Sequence, residues 1–411
     1  MENLKVKKVF RTRISVLFLG FVLAVFIPRV IFAQTSFISD EIKPLVNFIE
    51  QNNISPVDYV MNLFEKYDVV VIGERSHMDM TQYDLINQIV SDPRFITKVG
   101  HVFHEVGVYN MTDELNAVLK GTYPNETEFD MELVKVIFKM DFTPLWDKAN
   151  YTKFLKDVYL VNKNLPFQEK INVTPTEFPF SWEQAKTMTA EQYRTTVLNG
   201  MWKQKDLIIA NNAINELYKI FNGNNSRKKA LIIWNMPHSC RHFTNQNNQP
   251  FFAYQIIADR FPGRVANVAL NNAKVSERER TIFLSNGGKL DAAFAASGNK
   301  SIGFDLANSP FGDCIYDFGH IIATDEVKMK DVYHGFIFYR PILEWENGIG
   351  VPNLDKIDIK DELARRTQVY TNRDNVDKDA VLRSFSLRNI PMSFLFNEKQ
   401  FSEQTSEYYK P

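Results

Sequence analysis

Short, almost purely apolar runs alternate along this chain with longer stretches whose apolar positions recur at helical spacing. Val69–Ile72, Val102–Glu105, Ile171–Glu177, Ala230–Trp234, Arg264–Leu270, Ser301–Asp305 and Gly335–Arg340 are short and rich in β-branched or aromatic residues. Each is followed by turn or helix-start residues, the pattern of strands buried on both faces. Between them, Ile42, Leu45 and Ile49, then Val57, Val60, Leu63 and Phe64, fall on single helical faces, with Ser55-Pro56 opening the second helix. Leu85, Ile86 and Ile89 do the same over Thr81–Ser91. A long helix is expected over Glu191–Phe221, its stripe running from Met201 through Ile208, Ile209, Ala213 and Leu217 to Ile220, with Asn222-Gly223 closing it. From about Tyr109 to Asn164 the chain reads as helical with no strand signal. This order predicts an α/β fold, a largely parallel sheet flanked by helices, with a helical insertion at about 109–164 over the carboxyl edge, as pocket wall or as packing layer. The charged tail from Val351 reads as helix and loop.

Five of the runs carry ionisable residues at or just beyond their ends: Glu74 and His77, Glu105, Glu177, His238, and Asp305. In an open α/β sheet the carboxyl edge is where loops converge and helix N-termini offer positive dipole ends, so ligands bind there. Glu74, His77, Glu105 and His238 are therefore the candidate catalytic residues, and Arg75, Glu177 and Arg241 the candidate substrate-binding ones. An imidazole three residues from a carboxylate supports two chemistries. Glu74 could orient His77 as a general base for water. Alternatively Glu74, His77, Glu105 and His238 could together ligate a divalent ion that activates water. A covalent route is disfavoured: Ser76 lacks the G-x-S-x-G elbow, and Cys240 follows His238 too closely to be its partner. His101 opens its strand and should lie far from the site, and His104 should face the opposite side of the sheet from Glu105. His320 and His334 read as packed or surface histidines.

The N-terminus has a different character. Lys5, Lys7, Lys8, Arg11 and Arg13 precede an apolar stretch from Ile14 to Ile27, and Ile31-Phe32-Ala33 offers a small residue for cleavage. Residues 1–33 are thus expected to be a secretory signal peptide, or an uncleaved anchor, ahead of one domain over 34–411. They hold six basic side chains and one acid, so their removal takes the formal charge from -1 to -6. A mildly acidic mature protein is a poor nucleic-acid binder, and a small-molecule substrate is the expected partner, with membrane contact only through an uncleaved anchor. Cys240 and Cys314, the two cysteines, lack the spacing of a structural zinc site and could pair only after export.

V-V-V-I-G-E-R-S-H followed by a helix, F-H-E ending the next strand, and L-I-I-W-N-M-P-H after the long helix resemble the erythromycin esterase-like family and, more broadly, the Tiki/ChaN superfamily. The likeness spans roughly Asp68 to Arg340. It implies an α/β fold with its site at the carboxyl edge, Glu74 and His77 as the G-E-x-x-H pair with His77 activating water, and matching roles for Glu105 and His238. Such families include ester and lactone hydrolases, metal-dependent peptidases and haem-binding proteins. Met78 stands where the esterases carry Gly, and a single His238 where they carry two histidines, His242 being the nearest replacement; macrolides are therefore not the expected substrate. The combined expectation is an exported hydrolase of an ester, lactone or amide. The alternatives are a metal-dependent hydrolase or peptidase on the same residues, or a haem or ligand binder using His77, His104 or His238.

Overall fold

Seven strands form the central sheet of the computed structural model, which describes residues 37–143, 148–241, 252–276, 281–318 and 327–411. They are β1 (Val69–Glu74), β2 (His101–Val108), β3 (Asn172–Glu177), β4 (Ala230–Asn235), β5 (Val265–Leu270), β6 (Ile302–Asp305) and β7 (Gly335–Phe338). Their spatial order is β3-β2-β4-β1-β5-β7-β6. Every neighbouring pair is parallel except β7 and β6. The residues Ser36–Pro411 make one compact unit; the expected signal peptide lies outside the described residues.

The strands are apolar on both sides because both faces are covered. Val70 and Ile72 of β1 pack with Leu231 and Ile233 of β4 against α1 (Pro56–Lys66), α2 (Thr81–Ser91), α3 (Thr112–Lys120), α4 (Glu126–Met140) and α5 (Ala149–Lys163). Their sequence neighbours Val69, Val71, Ile232 and Trp234 point the other way, onto α6 (Lys205–Asn222) and α7 (Ala253–Arg260). The period-two alternation of a strand thus serves two helical layers at once. The helical stretch at 109–164 supplies much of the first layer, and its turn at Asp141 and Phe142 reaches the carboxyl edge. There Phe142 packs with Phe178, Phe180, Trp182 and Tyr193.

Two features differ from the sequence reading. Strand β6 runs antiparallel at the sheet edge, pairing Asp305 with Gly335, the first residue of β7. Asp305 therefore lies at the opposite edge from the other strand ends and accepts a hydrogen bond from Tyr59 at 2.8 Å. The helix expected over Glu191–Phe221 is broken: a π-helical stretch, Arg194–Met201, and a single 3-10 turn, Trp202–Gln204, precede α6. The break makes Lys205 and Asp206 the opening residues of a new helix. The tail from Val351 packs against the first layer through Val351, Leu354, Leu363 and Phe385. Cys240 and Cys314 are not bonded to each other, and Cys240 is buried. No helix among the described residues is long and apolar enough to cross a membrane.

Candidate functional site

The chain leaves β1 toward α2 on one face and leaves β4 toward α7 on the other. Adjacent parallel strands whose connections diverge in this way open a crevice at their carboxyl ends. Glu74 ends β1 and Asn235 ends β4, directly paired across the ladder. Gly73 is required here, because a Cβ on it would lie 2.6 Å from the Ser239 hydroxyl. Its absence lets the turn Met236–Ser239, which carries His238, settle onto β1. The loop carrying His77 is stitched down from the far side, with the Met80 amide donating to the Glu346 carbonyl and the Gly348 amide to the Met78 carbonyl, each at 2.7 Å.

Glu74 holds His77 through Nδ1, with 2.9 Å to Oε2. The other carboxylate oxygen, Oε1, accepts from Tyr83 at 2.8 Å and more weakly from Gln82 at 3.5 Å. Behind Tyr83 stands His104, whose tautomer follows from its partners. The Val106 amide donates to its Nδ1 at 2.9 Å, so the proton sits on Nε2 and is donated to the Tyr83 oxygen at 2.6 Å. Burial pushes the His104 pKa down to about 3, keeping the ring neutral. The resulting chain runs His104 to Tyr83 to Glu74 to His77 and fixes the face that His77 presents.

Glu105, from the next strand but one, is the centre of the cluster. Its Oε2 accepts the Asn235 amide at 2.6 Å, and its Oε1 faces Lys205 Nζ at 2.7 Å, His238 Nε2 at 3.4 Å and His77 Nε2 at 3.6 Å. His238 is gripped at its other nitrogen by Asp206, 2.8 Å from Nδ1, so the two imidazoles form matching carboxylate dyads that converge on one acid. Lys205 bridges onward to Glu177 at 2.7 Å. The Glu74 and Glu105 side chains are 1% exposed, whereas those of His77 and His238 are 20% and 16% exposed, so the imidazoles are what solvent meets.

Burial alone would strip protons from both rings, but the carboxylates outweigh it. Glu74 and Glu105 raise His77 to about 10, and Glu105 with Asp206 raises His238 to about 9. Glu105 moves the opposite way: burial opposes its ionisation, and Lys205, His238 and His77 together hold it well below the usual carboxylate range. Glu177 is raised, because burial there exceeds the pull of Lys205. One ligand atom from each of Glu74, His77 and Glu105 lies within 4.8 Å of the others, a spacing that could hold a metal ion.

No family model matches the chain, and no curated protein matches it. Solved structures do superpose on it. A succinoglycan biosynthesis protein covers 72% of this chain and 96% of its own at 10% identity, with a TM-score of 0.48. The erythromycin esterase EreC, in its open conformation, covers 74% of this chain and 97% of its own at 10% identity and 0.42. ChaN of Campylobacter jejuni, with cofacially bound haem, covers 51% and 84% at 14% identity and 0.30. The last two carry the names of the groups that the sequence motifs resemble.

Four expected catalytic residues, Glu74, His77, Glu105 and His238, are brought together, and Glu177 joins them behind Lys205. Two expected substrate-binding residues are not. Arg75 turns inward from the loop, is 4% exposed, pairs with Asp79 at 2.8 Å and lies 4.0 Å over the Trp345 ring. Arg241 is spent on the Asp331 and Lys330 carbonyls and on His334. His104 is fully buried with both nitrogens engaged, which closes it to haem as an axial ligand. Burial pushes the Cys240 thiol up to about 12, far from a reactive thiolate. His242 and His320 lie outside the described residues. Sequence reasoning missed Tyr83, Lys205 and Asp206; only the Arg75–Asp79 spacing of four was a readable sign that Arg75 is structural. Replacing Arg75 by leucine strands the Asp79 carboxylate in the interior and should cost about 3–5 kcal/mol, as breaking buried pairs does. Urea denaturation checks this, and a loss below 1 kcal/mol would show that the pair is dispensable.

Proposed function

We propose that this protein is an exported hydrolase of an ester, lactone or amide, in which His77 takes the proton from the attacking water. The observation that supports it most is the paired arrangement: two partly exposed imidazoles, each fixed at Nδ1 by its own carboxylate, present Nε2 to one buried acid. Fixing Nδ1 sets the orientation of a general base, and the convergence of charge provides a preorganised electrostatic setting. His238, held by Asp206, is placed to support charge that develops opposite His77. Export rests on the basic and apolar pattern of residues 1–33.

The charge state gives the test. Because Glu74 and Glu105 hold the proton on His77 up to about 10, the ring becomes a base only as the pH climbs. The kcat/KM for ester or lactone substrates should therefore rise through pH 8 to 10 instead of levelling near the ordinary histidine value of about 6.5. A profile already flat above pH 7 in metal-free protein would remove the basic role from His77.

A second reading has its own observation, the close approach of Glu74, His77 and Glu105. Two carboxylate oxygens and an imidazole nitrogen suit zinc or manganese. Those three residues would hold the ion, and bound there it would supply an activated water. Metal analysis of the purified protein together with turnover before and after chelation separates the readings: loss on chelation and recovery with zinc or manganese favours the metal, and indifference favours the metal-free base.

A further inference from the structure

Glu105 meets one ammonium and two imidazoles with a single oxygen. Its Oε2 is committed to the Asn235 amide, and Oε1 is left for Lys205, His238 and His77. Hydrogen bonds of N–H to oxygen fall at about 2.7–3.2 Å, with charged pairs at the short end. Only the ammonium, at 2.7 Å, is at that length; the imidazoles stand at 3.4 and 3.6 Å, in ion-pair range but beyond a good hydrogen bond. A buried carboxylate flanked by two imidazole Nε2 atoms would be expected to close on one of them as a hydrogen-bond acceptor.

Lys205 is built to prevent that. It is almost fully buried, anchored from behind by Glu177 at 2.7 Å and covered by the Trp202 ring, whose centroid is 4.5 Å from Nζ. It also opens α6, and the next residue, Asp206, grips His238 Nδ1 at 2.8 Å and accepts the Ala253 amide at the same distance. One helix start therefore sets both the ammonium on Glu105 and the outer nitrogen of His238. The π-helical stretch before it permits this, since it shifts the register at which α6 begins.

We propose that Lys205 is a positioning residue whose ammonium saturates Glu105 and so holds Nε2 of both His77 and His238 off that carboxylate. Its benefit to turnover rests on the hydrolase reading, whereas the spacing does not. Removing the spacer should let one imidazole close on Glu105 into a charge-assisted bond and turn its Nε2 away from substrate. Misplacement of a reacting group by about 1 Å can cost on the order of 10²-fold in rate.

The test uses the full-length protein labelled with 15N-histidine. Lys205→Met would strand Glu177 without its cation, so it is made alone and also together with Glu177→Gln, which removes both buried charges. In the double variant one imidazole Nε2–H resonance should move downfield, and kcat for an ester substrate should fall about 10²-fold with KM within about twofold. Lys205→Arg, which keeps a cation on Glu105, should retain the wild-type resonances and recover part of the rate. Unmoved imidazole resonances in a folded double variant would overturn the proposal, as would a rate loss no larger than the unfolded fraction. If the wild-type protein hydrolyses no ester, lactone or amide, the hydrolase reading falls, and the resonance shift still decides the spacer.

Discussion

His77→Ala is expected to take hydrolysis to background while the protein stays folded. A positioned general base contributes about 10²–10⁴-fold, so kcat/KM should fall by that factor. Stability should fall by the ring's ion-pair contribution without loss of the fold, because Glu74 Oε2 loses its donor while Oε1 keeps two, Tyr83 at 2.8 Å and Gln82 at 3.5 Å. The ring is also partly exposed, so its removal opens toward solvent and leaves no closed cavity. Steady-state kinetics beside a thermal melt checks both halves. Retained turnover would take His77 out of the mechanism, and a variant that no longer folds would make the ring a structural element instead.

Glu105→Ala should have the largest effect on stability. It removes the anion that faces Lys205, His238 and His77 and leaves the Asn235 amide without its acceptor. Breaking a buried ion pair costs about 3–5 kcal/mol, so the variant should unfold at markedly lower urea. The same cluster gives the wild-type protein a pH dependence with a definite sign. His77 and His238, raised to about 10 and about 9, contribute stability that is complete below their unfolded value of about 6.5. That contribution is lost as the pH rises through 9 to 10. Glu105, held low, contributes stability above the ordinary glutamate range that is lost in acid. Stability should therefore decline between about pH 6.5 and 10, and the decline should flatten in Glu105→Ala because both imidazoles lose their shared acid. Urea titrations across that range measure it; equal slopes in the two proteins would show that Glu105 does not hold the histidine protons.

Much of this arrangement was legible along the chain. The strand runs were readable because a strand buried on both faces is apolar at every position, a local property that needs no knowledge of its neighbours. Glu74, His77, Glu105 and His238 were readable because they follow such runs. The failures have physical causes. Arg75 lies between two site residues in sequence, yet its side chain turns to Asp79 and Trp345, a direction set by the loop. Asp305 ends a strand like the others, but β6 is antiparallel, and no local pattern encodes the direction of an edge strand. Lys205 and Asp206 were hidden inside a helix that looked continuous. The π-helical break that turns them toward Glu105 and His238 leaves no mark on the apolar stripe.

The sequence by itself determined the elements, the alternation of buried faces and the strand ends on which the reactive groups stand, since each follows from backbone geometry and neighbouring side chains. Only the tertiary structure decided which of those groups share a charge. Glu105 receives Lys205, His238 and His77 from segments about 30 to 130 residues away in the chain, and the protons it keeps on the histidines depend on distance and burial, which no span of sequence contains.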